Sequence, residues 1–85
     1  MRMISVQSAK YQQDYQIFLL FNDGTSGVVD FKKFLFEERR PVFKRLRDVN
    51  QFKNFLVDYT IIWGDDLDLA PEFLHDLLIK QNDKK

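Results

Sequence analysis

Near the start of the chain apolar and polar residues alternate with a period of two. Ile4, Val6 and Ser8 fall on one side and Ser5, Gln7 and Ala9 on the other, the pattern of a half-buried strand. Lys10 to Asp14 reads as a polar turn. From Tyr15 to Phe21 both sides are apolar: Tyr15, Ile17, Leu19 and Phe21 on one, Phe18 and Leu20 beside Gln16 on the other. A strand with one wet face alternates more cleanly, so this second strand is expected at the centre of a sheet, covered on both sides. Asn22 to Thr25 carries Asp23-Gly24 between apolar runs, the chemistry of a hairpin turn. Ser26 to Asp30 then forms a third strand, in which Gly27 marks a bulge or the close approach of another backbone.

The period changes at Phe31. Phe31, Phe34 and Leu35 share one helical face, with Asp30 placed to accept the amide of Lys32 or Lys33 as an N-cap. Pro41 disfavours a helical Arg40 and ends that helix there or earlier. Val42, Phe43 and Leu46 suggest a short second turn, and Asp48 to Phe52 a further capped one. Phe55 to Thr60 and Ile61 to Trp63 read as two strands, or as one strand bent at Asp58-Tyr59. After Gly64-Asp65-Asp66 and Leu67-Asp68-Leu69, Pro71 suits a first helical position and Glu72 the positive end of that helix. Phe73, Leu74, Leu77 and Leu78 keep its period. The order β-β-β-α-β-β-α predicts a single α+β domain over residues 1–80, a small, largely antiparallel sheet of four to five strands with two helices, and a polar tail at 81–85. Two helices cannot readily cover both faces of a sheet whose central strand is apolar on both. A homodimer or a small protein partner is therefore expected, unless the segment from Pro41 to Phe55 supplies the cover.

Composition supports one bulky core. Nine Phe, three Tyr and one Trp occur in 85 residues, a length that leaves no room for a second domain. With no cysteine there is neither a disulfide framework nor a thiolate metal site, and a cytoplasmic location is the default. The N-terminus lacks the apolar run of a signal peptide, and no stretch approaches the roughly 20 apolar residues of a membrane helix, so no membrane role is expected. Thirteen Lys and Arg balance thirteen Asp and Glu. Zero net charge gives no global pull towards nucleic acid or anionic lipid. The distribution is uneven. Basic residues dominate from Lys32 to Lys53, and every charge from Asp58 to Asp76 is negative.

Phe21-x-Asp23-Gly24, Gly27-x-Val29-Asp30-Phe31, Leu46-x-Asp48 with Phe52, Ile61-Ile62-Trp63, and Asp66-Leu67 ahead of Pro71-Glu72-x-Leu74 follow one another in an order that resembles the small bacterial family catalogued as domain of unknown function 2442. The resemblance spans about Ile4 to Leu78. It implies an α+β fold of this strand order, found alone or joined to a helix-turn-helix domain for which this sequence has no room. It also implies partnership with other small bacterial proteins, in toxin-antitoxin-like pairs. Ala70 precedes Pro71 where a Ser or Asp would cap better.

Candidate chemistry is sparse. Asp65, Asp66, Asp68 and Glu72 are the densest carboxylates, but their spacing does not fit a calcium-binding loop, and turn and helix-start roles account for them. His75 has no second ligand or nucleophile nearby in sequence. Ser5, Ser8 and Ser26 lack a nucleophile-elbow context. No catalytic, metal or cofactor site is assigned, and the chain is read as non-enzymatic. Arg39, Arg40, Lys44, Arg45 and Arg47 form a basic patch suited to an acidic protein surface, with Trp63 as a second candidate contact that also suits the core. The leading expectation is a protein-interaction module. The alternative is a nucleic-acid-binding or transcription-regulatory module that uses the patch between Arg39 and Arg47 on phosphates.

Overall fold

The computed structural model describes residues 3–64 and 67–82. Three antiparallel strands, β1 (Val6–Gln13), β2 (Gln16–Phe21) and β3 (Ser26–Asp30), form the first sheet in the order β1-β2-β3. Helix α1 (Lys32–Glu37), a 3₁₀ segment (Pro41–Arg47) and helix α2 (Val49–Phe52) follow. A second antiparallel sheet comprises β4 (Leu56–Val57), β5 (Ile61–Trp63) and β6 (Leu67–Asp68), and helix α3 (Pro71–Asn82) comes last. The class is α+β as expected. The single sheet of four to five strands is corrected to two sheets of three, and two helices become three with a 3₁₀ segment. Among the described residues, one backbone hydrogen bond, from the Val6 N–H to the Tyr59 carbonyl (2.8 Å), ties the edge of β1 to the β4-β5 turn. That is too little to merge the ladders.

Strand β1 continues past the expected alternation, through most of the stretch read as a turn. Register slips between Val6 and Ser8 and between Tyr11 and Gln13. The first slip changes parity, because a bulge sets two residues against one. Ala9 and Tyr11 therefore pack against the core beside Val6, while Ser8 is exposed, the reverse of simple alternation. The turn contracts to Asp14 and Tyr15, with Asp14 in the left-handed region (φ 49°).

The second hairpin follows its sequence signal. Phe21 donates to the Thr25 carbonyl (2.8 Å), Gly24 donates to that of Phe21 (3.0 Å), and Gly24 takes φ 89°. Such a tight loop needs a left-handed position, which glycine fills without strain. Gly27 keeps regular register, so it is no bulge. Helix α3 crosses there, and a Cβ would lie 2.9 Å from Leu78 Cδ1. The close approach comes from side chains rather than from a backbone.

Helix α1 is shorter than the Phe31 to Arg40 stretch, and Phe31 holds the formal cap position. Asp30 Oδ1 nevertheless accepts the Lys32 N–H (2.9 Å) as expected. Arg40 is extended before Pro41, and Asp48 caps α2 by accepting the Asn50 N–H (3.0 Å). Phe43, Leu46 and Phe52 from this region join Ile17, Leu19, Phe21 and Val29 in one core with Ile61, Trp63, Leu74 and Leu78. Phe52 sits among the rings of Tyr11, Tyr15, Phe31 and Trp63, with centroids 5.5 to 6.4 Å away. The elements after β3 thus pack against one face of the first sheet. Gln81 and Asn82, read as the start of a tail, belong to α3.

Candidate interaction surface

The basic patch is divided by its contacts. Arg47 Nε donates to the Leu35 carbonyl (3.0 Å) and Nη2 to those of Phe36 and Glu38 (3.3 Å each), while its guanidinium lies over the Phe36 ring. Such carbonyls are the groups that a helix leaves without partners at its C-terminal end. Arg47 therefore closes α1. Arg40 clasps Glu38 through two side-chain hydrogen bonds (3.0 and 3.2 Å) and lies 4.8 Å from the Phe43 ring centroid. These bonds hold the Glu38 carboxyl below its ordinary pKa and raise that of Arg40. Arg45 donates to the Trp63 carbonyl (3.1 Å). Arg39 and Lys44 are exposed, and their side chains make no hydrogen bond or ion pair with the described residues.

Trp63 is only 2% exposed, and its indole N–H donates to the Phe52 carbonyl (2.7 Å). Beside it a cavity of about 160 Å³ is lined by Arg45, Leu46, Gln51, Asn54, Trp63 and Gly64. The tryptophan is a core anchor that joins α2 to the second sheet.

The lone histidine has a specific neighbour. His75 Nε2 lies 2.9 Å from Asp23 Oδ2, and its ring stands edge-on to Phe21. The Thr25 backbone N–H first, then His75, hold the Asp23 carboxyl below its ordinary pKa. The contact fastens α3 to the β2-β3 turn. At the other end of β3, the Gln81 amide accepts from the Asp30 N–H (2.8 Å) and donates to the Asp30 carbonyl (2.9 Å), as a neighbouring strand would. Gln81 also borders an open groove of about 660 Å³ with Asp30, Lys32, Lys33, Phe36 and Glu37. Of the carboxylates weighed for a cation, Asp65 and Asp66 lie outside the described residues.

What the fold leaves open is the other face of the first sheet. Cross-strand pairing aligns Lys10, Phe18 and Val28 in one row, Ser8, Leu20 and Ser26 in the next, and Gln13, Gln16 and Asp30 in a third. Val28 is 40% exposed, Phe18 and Leu20 are half-buried, and none of the three packs against the core. The cover expected over β2 on both sides is therefore present on one only, among the described residues. The segment from Pro41 to Phe55, the alternative source of cover, is committed to the core side. The sequence signal for this surface is the double apolar face of β2. Lys10 and Val28 give none, because the pairing of β1 and β3 cannot be read locally. No described helix is long and apolar enough to cross a membrane.

The model of a family described as "Protein of unknown function (DUF2442)" matches residues 6–79, and the chain belongs to that family. No curated protein and no solved structure matches the chain.

Proposed function

We propose that this family member is a non-enzymatic protein-interaction module that docks through the outer face of its first sheet. The observation that carries the reading is the Phe18, Leu20 and Val28 stripe. It is an apolar patch at the centre of a three-stranded face, outside the buried core and rimmed by Ser8, Lys10, Gln16 and Ser26. An apolar centre with a polar rim is the anatomy of a protein interface. Arg39 and Lys44 remain available as polar contacts, whereas Arg40, Arg45 and Arg47 already serve the fold. A small protein partner, of the toxin-antitoxin-like kind or a second copy, suits the size of the face.

Mass in solution, followed by binding to mixed DNA and RNA across a salt series, tests this reading. Association that responds weakly to salt and is lost in Val28→Lys supports it. A monomer that binds nucleic acid with an affinity falling steeply with salt, and losing that affinity in Arg39→Ala/Lys44→Ala, replaces it with the nucleic-acid reading, because counterion release dominates phosphate binding.

A further inference from the structure

Resting on that reading, we infer that the occupant of the outer face is a second copy of this chain, related by a twofold axis running along the strands, with Lys10 of each copy meeting Asp30 of the other across the Phe18-Leu20-Val28 stripe. The charges argue for it. In the three cross-strand rows of this face Lys10 and Asp30 are the charged residues, one on β1 and one on β3, both exposed. Neither forms an ion pair with a described residue. Within one copy they stand two strand spacings apart, about 10 Å, so each faces solvent. A twofold parallel to the strands lays β1 of one copy over β3 of the other. Lys10 is then opposite Val28, one pair of residues from Asp30, a step of roughly 7 Å that a lysine side chain spans together with the gap between packed sheets. Two such pairs form, one at each side of the apolar stripe, as an isologous contact requires.

The edges of the sheet argue against the competing arrangement, in which two sheets join side by side. β1 is interrupted by two register slips and carries Lys10, and the outward N–H and carbonyl of Asp30 on β3 are occupied by Gln81. Bulges, edge lysines and covering side chains all disfavour strand addition. Of the first sheet's surfaces, the face is then the one on which copies can meet. Three strands by three residues give a footprint well below that of the standard interface of about 800 Å² per partner, so the dimer is weak and concentration-dependent.

Sedimentation equilibrium of the full chain from about 10 μM to 1 mM, with Lys10→Glu, Asp30→Lys and an equimolar mixture of the two, tests the pairing. Each variant alone sets like charges against each other and should weaken dimerisation about tenfold or more. In the mixture, the carboxylate introduced at position 10 of one copy faces the ammonium introduced at position 30 of the other, while the second pair stays native. Affinity should then recover to within about threefold of wild type. Circular dichroism monitors folding. Because Asp30 Oδ1 also holds the Lys32 N–H, Asp30→Asn, which keeps that acceptor, serves as a second variant and should weaken the dimer less than Asp30→Lys. A wild-type chain that stays monomeric at 1 mM overturns the inference. A dimer that is indifferent to both charge reversals but lost in Val28→Lys overturns the pairing and leaves the docking face standing. A dimer indifferent to all of them overturns both.

Discussion

Single side chains decide which charges are free. Five cations lie between Arg39 and Arg47, and as a row of letters they form one basic patch. Three are engaged by carbonyls and a carboxylate up to eighteen residues away, a distinction that no local pattern encodes. Arg47→Ala should cost about 1–3 kcal/mol in urea denaturation, since it leaves three carbonyls at the end of α1 without their charged donor. Arg47→Lys should recover little, because one ammonium cannot span a fork of carbonyls. Arg39→Ala should change stability by no more than about 0.5 kcal/mol. Equal losses for Arg39 and Arg47 would contradict the division of the patch. Trp63 is legible in the sequence only as a choice between core and surface, and the Phe52 carbonyl settles it. Trp63→Phe keeps an aromatic body but strands that carbonyl, and should destabilise by about 1–3 kcal/mol.

At the scale of elements the sequence is most legible where structure is local. The Asp23-Gly24 turn, the Asp48 cap, the break before Pro41 and the start of α3 at Pro71 each follow from a few adjacent residues. Strand β1 defeats simple alternation because one bulge reverses which residues face inward, and a bulge has no signature in Val6-Gln7-Ser8. Gly27 is legible as a close approach but not as a helix crossing. Gly27→Ala should cost about 1–3 kcal/mol by forcing Leu78 and Asn82 aside. The β2-β3 turn is also pH-dependent, through the bond of Asp23 to the Thr25 N–H first and its contact with His75 of α3 second. Asp23 has a folded pKa below its ordinary 3.8, so the unfolded chain takes up its proton first on acidification. Its contribution is complete above about pH 4 to 5, falls as pH drops through the ordinary value, and is gone below the folded pKa. An acid titration of stability should therefore be less steep over that window in Asp23→Asn than in the wild type; identical limbs would exclude Asp23 as a contributor.

The whole molecule poses the question that local patterns leave open, namely how two short ladders come to share one core. Sheet membership depends on pairing between strands distant in sequence, so the division into two sheets is not visible in the chain, whereas the aromatic content that joins them is. Phe52 lies between the sheets. It touches Tyr11 of β1, Phe31 at the end of β3 and Trp63 of β5, and its carbonyl holds the Trp63 indole. If that contact makes the sheets cooperative, they unfold together. Trp63 is the only tryptophan, so its fluorescence reports on the second sheet, while far-ultraviolet circular dichroism is weighted towards the helices, chiefly α3, which packs over Gly27 of the first sheet. The two urea transitions should coincide in the wild type. In Phe52→Ala both midpoints should fall together by the equivalent of about 3–5 kcal/mol, the usual cost of emptying a buried phenylalanine site. A fluorescence transition that precedes the dichroism change would mean that the second sheet melts alone. The outer face would then belong to a three-stranded sheet able to persist without the rest of its core.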